Sequence, residues 1–245
     1  MGDRYYLPFF YYIHFLNFEE LIKMLRSKIS LLFILIHSAF AFSQTAEQII
    51  QYNIDKSGGE NAWNNLNSIV LKGEAMINVD YSYPITINHQ RPYHKSVTFK
   101  IDGKEVLNEG YDGKNGWTYS DIQKKNVIVP NYTPDAFDSD LLKYKQKGFN
   151  VKLVGKETYE KGKQCFKIEL LKNKNKSFYC FDDKTYQLIF EENKEETMFY
   201  QDYKDFNGLS FATKIIGKPK EGGEYIIKLN SIQINPHIDK KVFKF

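Results

Sequence analysis

The side chains best suited to bind a metal ion are sparse in this sequence. Beyond residue 43 the only histidines are His89, His94 and His237, and no acid or cysteine stands beside the first two. A zinc site needs several His, Cys or acidic ligands at fixed spacing. We therefore expect no metal and no other cofactor, and we interpret these histidines as solvated residues at strand ends.

The acidic residues and the glycine-rich loops contain no recognisable catalytic motif. Adjacent acids occur at Asp182-Asp183 and Glu191-Glu192, but neighbours on a strand point to opposite faces, so neither pair can act on one bond. Gly222-Gly223 and the 112–116 loop lack the Gly-Lys-Ser/Thr sequence that binds phosphate, and no Gly-x-Ser-x-Gly occurs. We interpret the paired acids as solvated hairpin charges and predict that the protein is not an enzyme.

The two cysteines, Cys165 and Cys180, lie on consecutive predicted strands. A disulfide needs Cα atoms within about 7 Å. A turn centred on Lys172-Asn173 would place the cysteines directly opposite each other, whereas one centred on Asn173-Lys174 would not. Two alternatives therefore stay open: a disulfide, which secretion would permit, or two free cysteines used as small core residues.

The beginning of the chain has the pattern of a secretory signal. Residues 24–28 are basic, residues 29–42 are mostly apolar, and small residues precede a predicted cleavage after Ser43, with Ala41 as the other choice. The apolar run is shorter than the roughly 20 residues of a membrane span, although a retained anchor helix is an alternative. The signal predicts that the protein is located in the periplasm.

The remaining sequence is divided on either side of this signal. Residues 1–23 precede a complete signal, so we interpret them as a start codon assigned too early or as a disordered extension. A second hydrophobic segment is the alternative, but Pro8 interrupts it. Residues 44–245 contain no internal repeat and no linker, and we expect them to form one domain.

Charge and composition exclude some classes of protein. The 34 Lys and Arg residues against 30 Asp and Glu residues give a net charge of +4, and the two signs are mixed along the chain. Nucleic-acid-binding proteins usually concentrate far more basic charge on one face. Apolar residues make up 42% of the chain and aromatic residues 16%, which indicates a globular protein that does not bind nucleic acid.

The elements that must position any site are mainly strands. Thr45 and Gln48 form a predicted capping box at the start of a helix that ends at Gly58-Gly59. A second helix is predicted over 60–66 and a third from Thr133 to about 147. From Ile69 onward apolar residues alternate with polar ones through about a dozen strands. The pattern predicts a mainly β, α+β fold: one curved antiparallel sheet in a half-open barrel, capped by about three helices.

Aromatic and aliphatic residues exceed what one buried sheet face requires. The runs 178–181 and 198–200 are apolar on both faces of their strands. The surplus is explained either by ordinary sheet packing or by a cavity lined for an apolar ligand. We predict the cavity residues from the alternation along the strands and from one face of the third predicted helix. They are Phe99, Trp117, Tyr119, Phe137, Leu141, Phe190 and Tyr200.

Several segments resemble one family in order along the chain. Residues 109–117 (EGYDGKNGW) are similar to the YDGKxGW segment of LolA-like proteins, the periplasmic outer membrane lipoprotein-sorting group of Gram-negative bacteria. Residues 148–157, 179–186, 202–209 and 234–243 agree with the same group. The resemblance implies a half-open antiparallel barrel whose mouth is closed by helices, with an apolar cavity that shields acyl chains in transit.

Three functions follow from the sequence and the resemblance. The first is a non-catalytic periplasmic binder or carrier of lipid or lipoprotein acyl chains, with a role in outer membrane biogenesis. The second is an envelope interaction or sensing module on the same fold, whose partner is an envelope membrane protein. The third is an enzyme, which a buried carboxylate or histidine with a strongly shifted pKa in the cavity would favour.

Overall fold

The computed structural model describes residues 44–77, 81–134 and 136–244. The predicted signal peptide and the 1–23 extension lie outside these residues. Strands account for most of the described chain, as the alternating pattern predicts.

Helix α1 (Ala46–Lys56) begins with the predicted capping box. The Gln48 amide donates to Thr45 Oγ1 at 3.2 Å, and the Thr45 amide donates to Gln48 Oε1 at 3.0 Å. The helix buries Ile49, Ile50 and Ile54 against the sheet. Helix α2 (Glu60–Asn64) follows after a tight turn. Among the described residues no helix is long and apolar enough to cross a membrane.

Gly58 in this turn has no tolerated substitute. Its φ of 124° belongs to a region that glycine favours, and a Cβ would lie 2.4 Å from the Gly208 carbonyl oxygen. The close approach lets the Ser210 amide donate to the Ser57 carbonyl at 3.0 Å. The end of α1 is thereby attached to the strand that begins at Leu209.

One antiparallel sheet contains all thirteen strands of the described chain. They are β1 (Ser68–Ile77), β2 (Tyr81–Gln90), β3 (His94–Ile101), β4 (Lys104–Tyr111), β5 (Gly116–Ser120), β6 (Lys125–Ile128), β7 (Asn150–Glu160), β8 (Lys163–Lys172), β9 (Asn175–Asp182), β10 (Leu188–Glu192), β11 (Glu196–Phe206), β12 (Leu209–Pro219) and β13 (Tyr225–Ile234). Their order in the sheet is β6-β5-β4-β3-β2-β1-β13-β12-β11-β10-β9-β8-β7. The sheet is not closed, because β6 and β7 each pair on one side only. The predicted mainly β class and single antiparallel sheet are confirmed.

The predicted third helix is wrong. Residues 140–148 form consecutive turns, and the described chain has two α-helices together with a short 3-10 helix at Lys240–Phe243. Lys143 adopts a φ of 57°, outside the right-handed helical region, which interrupts the hydrogen-bond pattern of a helix. The segment still packs Leu141 and Leu142 against α1, so it covers the sheet as a loop. We refer to residues 136–148 as the rim segment.

The two faces of the sheet are buried by different groups. The inner face, which we define as the face packed against α1, buries Ile168, Leu170 and Phe181. The outer face buries Cys165 of β8, Cys180 of β9 and Phe190 of β10. Burial on both faces explains the long apolar runs in these strands.

Cys165 and Cys180 form a disulfide in this structure, with Cα atoms 5.5 Å apart. The turn lies at residues 173–174, so Cys165 is opposite Asp182 and Cys180 is opposite Lys167. As predicted for a turn at this position, the cysteines are not directly opposite each other, yet they form the disulfide. The cysteines lie on a diagonal, and the twist of paired strands brings one diagonal within reach of a disulfide.

Reducing this disulfide should lower the free energy of unfolding by about 2–3 kcal/mol, because the bond closes a loop of 15 residues in the unfolded chain. Urea unfolding with and without dithiothreitol measures the loss. The Cys165→Ala, Cys180→Ala double variant is the control, since its midpoint should not respond to reductant. Equal midpoints for the wild type under both conditions would contradict the prediction.

Candidate functional site

A cavity of about 540 Å³ lies between the inner face of the sheet, the two helices and the rim segment. Its floor comes from six neighbouring strands, in the order β1, β13, β12, β11, β10 and β9. The lining residues are Asn53, Ile54, Ser57, Trp63, Leu71, Ala136, Asp138, Ser139, Asp140, Leu141, Leu142, Tyr179, Leu188, Glu191, Tyr200, Tyr203, Ser210, Phe211, Ala212, Ile215 and Leu229. Pockets that bind small molecules are typically about 300–1,000 Å³, so the cavity has the size of a binding site.

Much of the lining is apolar, because each covering element turns its buried face toward the sheet. Helix α1 contributes Ile54, and the rim segment contributes Leu141 and Leu142. The opposite wall contains Ile215 of β12 and Leu229 of β13. Aliphatic side chains on both walls can enclose a hydrocarbon chain.

Two tyrosines of β11 enter the cavity although they are three residues apart. Strict alternation would send Tyr200 and Tyr203 to opposite faces. Between them Asp202 has a φ of 56°, and its carbonyl accepts a hydrogen bond from Thr213 Oγ1 at 2.6 Å. This local distortion places both rings on the inner face, where Tyr203 Oη donates to the Leu188 carbonyl at 2.7 Å.

Glu191 of β10 is the most unusual residue in the cavity. One carboxylate oxygen accepts a hydrogen bond from Tyr200 Oη at 2.8 Å, and no basic side chain pairs with it among the described residues. Burial raises the pKa of Glu191, and the nearby charges of Asp140 and Glu196 raise it further, while the Tyr200 hydrogen bond opposes the shift. A carboxylate in this environment has the properties of a functional group.

Tyr179 lies directly beside Glu191. The two residues are register partners on β9 and β10. The side chain is only 6% exposed, and within the described chain its hydroxyl has no hydrogen-bond partner. Burial raises the pKa of Tyr179, and the charges of Glu191 and Asp140 add to the shift. Tyr179 lines the cavity, so this hydroxyl is a candidate to contact a ligand.

The cavity is acidic although the chain is basic overall. Its described lining contains Asp138, Asp140 and Glu191 and no Lys, Arg or His. Asp138 is neutralised by Arg91 outside the lining. Asp140 interacts with the charge of Lys147, whereas Glu191 forms no ion pair among the described residues.

Arg91 attaches the rim segment to the rest of the protein. Its guanidinium donates two hydrogen bonds to the Asp138 carboxylate, each at 2.5 Å. It also donates to the carbonyls of Leu66 at 2.6 Å and Trp63 at 3.0 Å, and it lies 4.7 Å from the centre of the Phe137 ring. One side chain therefore joins α2, the start of β1 and the rim of the cavity.

The structure places two of the seven nominated residues in the cavity, Leu141 and Tyr200. Phe137 is adjacent to the cavity, but its ring packs between Arg91 and His89. Phe190 faces outward onto the disulfide, because its strand alternation places Glu191 inside.

The other three nominated residues belong to the opposite half of the sheet, in β3 and β5. Phe99 packs against the cluster of Ala75, Ile85 and Val97. Trp117 is fully buried, and its Nε1 donates to the Phe243 carbonyl at 3.3 Å. Tyr119 is on the same strand as Trp117 and does not line the cavity. Alternation along a strand identifies a buried face but not which part of the sheet the helices cover.

Two interpretations of polar residues also change. Glu191 is half-buried and lines the cavity rather than standing in solvent at a hairpin, and the signal for it is an acid at an inward position of a strand that is apolar on both faces. His89 and His94 are half-buried and pack on Phe137 and Phe243 rather than standing in solvent. Within the described residues no group of three or more His, Cys, Asp or Glu side chains is arranged to hold a metal ion.

The Glu191→Gln variant should stabilise the ligand-free protein at pH 7 more than at pH 4. Because the pKa of Glu191 is raised from its ordinary 4.5, the protonated side chain contributes stability below about pH 4.5, and that stability is lost as pH rises through the folded-state pKa. The melting temperature of the variant minus that of the wild type should therefore increase from pH 4 to pH 7. Each 1 kcal/mol of difference in the free energy of unfolding corresponds to about 2–4 °C. The groups that face Glu191 are Tyr179, Tyr200, Tyr203, Asp140 and Glu196. A difference in melting temperature that is constant from pH 4 to pH 7 would contradict the prediction.

No family model and no curated protein sequence matches the chain. Solved structures do. An outer membrane lipoprotein-sorting protein domain assigned in Vibrio parahaemolyticus superposes with a TM-score of 0.53 and 12% identity, over 81% of this chain and 95% of that one. A LolA superfamily protein from Nitrosomonas europaea superposes with a TM-score of 0.53 and 12% identity, over 83% of this chain and 99% of that one. A DUF1329 family protein from Desulfovibrio piger superposes with a TM-score of 0.53 and 10% identity, over 80% of this chain and 97% of that one. The LolA-like fold implied by the sequence segments is confirmed.

Proposed function

We propose that this protein is a non-catalytic periplasmic binder or carrier of lipid or lipoprotein acyl chains. The observation that carries the proposal is the cavity itself, a volume of about 540 Å³ between the sheet and two covering helices, with aliphatic side chains on both walls. Acyl-chain burial is driven by about 0.8 kcal/mol per CH₂ group. Aliphatic residues on both walls supply the environment that such a chain prefers to water.

Two further observations support this function. The fold is that of a group that includes a lipoprotein-sorting domain. The predicted signal peptide would deliver the chain to the compartment where such cargo moves between membranes.

The binding of a dibrominated stearate tests the proposal, because the protein contains two tryptophans in different places. Trp63 lines the cavity, whereas Trp117 is buried beside Phe243. Bromine quenches tryptophan fluorescence only at close approach, so a bound chain should quench Trp63 and spare Trp117. Unbrominated stearate is the control for indirect changes in fluorescence.

The Trp63→Phe variant sharpens this experiment. Its remaining fluorescence comes from Trp117 and should not be quenched by the brominated chain. Saturable quenching in the wild type that disappears in Trp63→Phe supports binding in the cavity. An absence of quenching in the wild type, or equal quenching in the two proteins, would overturn the proposed site.

A second candidate function, an envelope interaction module, is favoured by one exposed apolar surface. Ile77 and Tyr81 are register partners at the ends of β1 and β2 and are 46% and 64% exposed, and the Tyr81 and Tyr83 rings stack with centroids 6.5 Å apart. A partner such as an envelope membrane protein would contact this end of the sheet. Isolation with one stoichiometric protein and no lipid, lost on Tyr81→Ser, would favour this function over the carrier.

A further inference from the structure

We propose that the cavity recognises the head group of its cargo and that this head group is a protonated aliphatic amine. The proposal rests on the function proposed above and specifies the chemical class of amphiphile that the cavity selects. It is carried by three features of the lining: hydrogen-bond acceptors that face the cavity, the unpaired carboxyl group of Glu191 and clustered aromatic rings.

The acceptors lie on neighbouring strands of the cavity floor. Glu191 uses one carboxylate oxygen to accept from Tyr200, and its other oxygen has no hydrogen-bond partner in the described chain. The Tyr179 hydroxyl, on the neighbouring strand at the register position of Glu191, is also without a described partner. A primary ammonium has three N–H donors and no acceptor. It therefore suits a carboxylate oxygen and a hydroxyl oxygen that line the same cavity on neighbouring strands.

The charge of the lining selects against anionic head groups. Asp140 lies close enough to raise the pKa values of both Tyr179 and Glu191. Asp138 is paired to Arg91 and Asp140 interacts with the charge of Lys147, which leaves Glu191 as the acid that faces the cavity without a described cation. Burying a charge without a partner is costly. A cationic ligand relieves that cost, whereas a carboxylate or phosphate would increase it.

The aromatic residues add attraction for the same charge. Trp63, Tyr179, Tyr200 and Tyr203 all line the cavity. Cations bind favourably to the faces of such rings, more strongly when the site is desolvated. The adjoining aliphatic walls would hold the hydrocarbon chain that carries the amine. The cavity thus combines a polar floor for an ammonium with an apolar enclosure for its chain.

The experiment compares three ligands with one chain length: dodecylamine, dodecanoate and dodecanol. Each is titrated calorimetrically, below its micellar concentration at pH 7, into residues 44–245. The amine is charged at this pH, as a lysine side chain is. The expected Kd for dodecylamine is at least about 10-fold lower than that for dodecanoate, the difference typical of a hydrogen-bonded charge pair.

Variants assign the preference to the floor of the cavity. Glu191→Gln keeps the shape and the Tyr200 partner but removes the charge, and it should weaken dodecylamine binding about 10-fold while leaving dodecanol unchanged. Tyr179→Phe should weaken the binding of dodecylamine by a smaller factor. The matched control is Glu192→Gln on the same strand, because Glu192 pairs with Lys220 outside the cavity. It should not alter any of the three affinities.

The outcomes separate the head-group inference from the carrier function. Equal affinities for amine and carboxylate, or an equal loss in Glu191→Gln and Glu192→Gln, would overturn the head-group inference and leave the acyl-binding function in place. An absence of binding by all three amphiphiles would overturn both. A preference for the amine that is lost only with Glu191 would establish the inference.

Discussion

The Ala212→Trp variant should lose acyl-chain binding by more than 10-fold while keeping its fold. Ala212 lines the cavity from β12, opposite Tyr203 on β11. An indole group at this position projects into existing empty volume, so the ligand loses its space while the packed core is largely undisturbed. Added bulk in a fully packed core typically costs about 1–3 kcal/mol, and a cavity should reduce that cost. Quenching of Trp63 by dibrominated stearate is unsuitable here because the variant adds a tryptophan, so calorimetry with dodecylamine measures the loss.

The matched control is Thr158→Trp, which adds the same indole to an exposed position of the edge strand β7. Its affinity should equal that of the wild type. Urea unfolding of both variants separates a blocked cavity from a destabilised protein. Wild-type affinity in Ala212→Trp, with its fold intact, would show that the ligand binds elsewhere.

The Arg91→Ala variant should destabilise the protein by about 3 kcal/mol, the lower end of the cost of breaking a buried ion pair. The lower end applies because the two side chains are 27% and 22% exposed. The variant leaves the Asp138 carboxylate without its cation and the Leu66 and Trp63 carbonyls without their donor. The rim segment should then detach before the sheet unfolds, since few other polar contacts hold it. Urea unfolding gives the free energy, and limited proteolysis reports cleavage after the lysines of the rim segment.

Arg91→Lys is the informative control, because it keeps the charge but cannot present the planar group that contacts a carboxylate and two carbonyls together. It should recover only part of the lost stability. If the free energy of unfolding of Arg91→Ala lies within about 0.5 kcal/mol of wild type, the usual range for surface substitutions, then Arg91 does not hold the rim segment in place.

The sheet was predictable from the sequence because its causes are local. Alternation of apolar and polar residues and the turn signals between them predict strands one at a time. The capping box of α1 is equally local, since Thr45 and Gln48 satisfy each other's backbone amides. These features depend on residues only a few positions apart, which a single sequence contains.

The failures come from contacts that a single sequence does not contain. The third helix has a strong start signal at Thr133-Pro134, but Lys143 at a φ of 57° interrupts it, and the contacts of Asp138 with Arg91 hold the segment as a loop. Phe190 and Glu191 show the same limit in the site. Alternation separates the two residues to opposite faces, but only the sheet order shows that the helices cover the face with the acid.

Native mass spectrometry tests the central claim most directly. Residues 44–245 and the Ala212→Trp variant would be exported to the periplasm of a Gram-negative host and purified without detergent. We expect a mass excess on the wild type that dissociates into acyl-containing species and is absent from the variant. If both proteins show only the unliganded mass, even after incubation with excess host lipid extract, this result would contradict the claim that the cavity binds acyl chains.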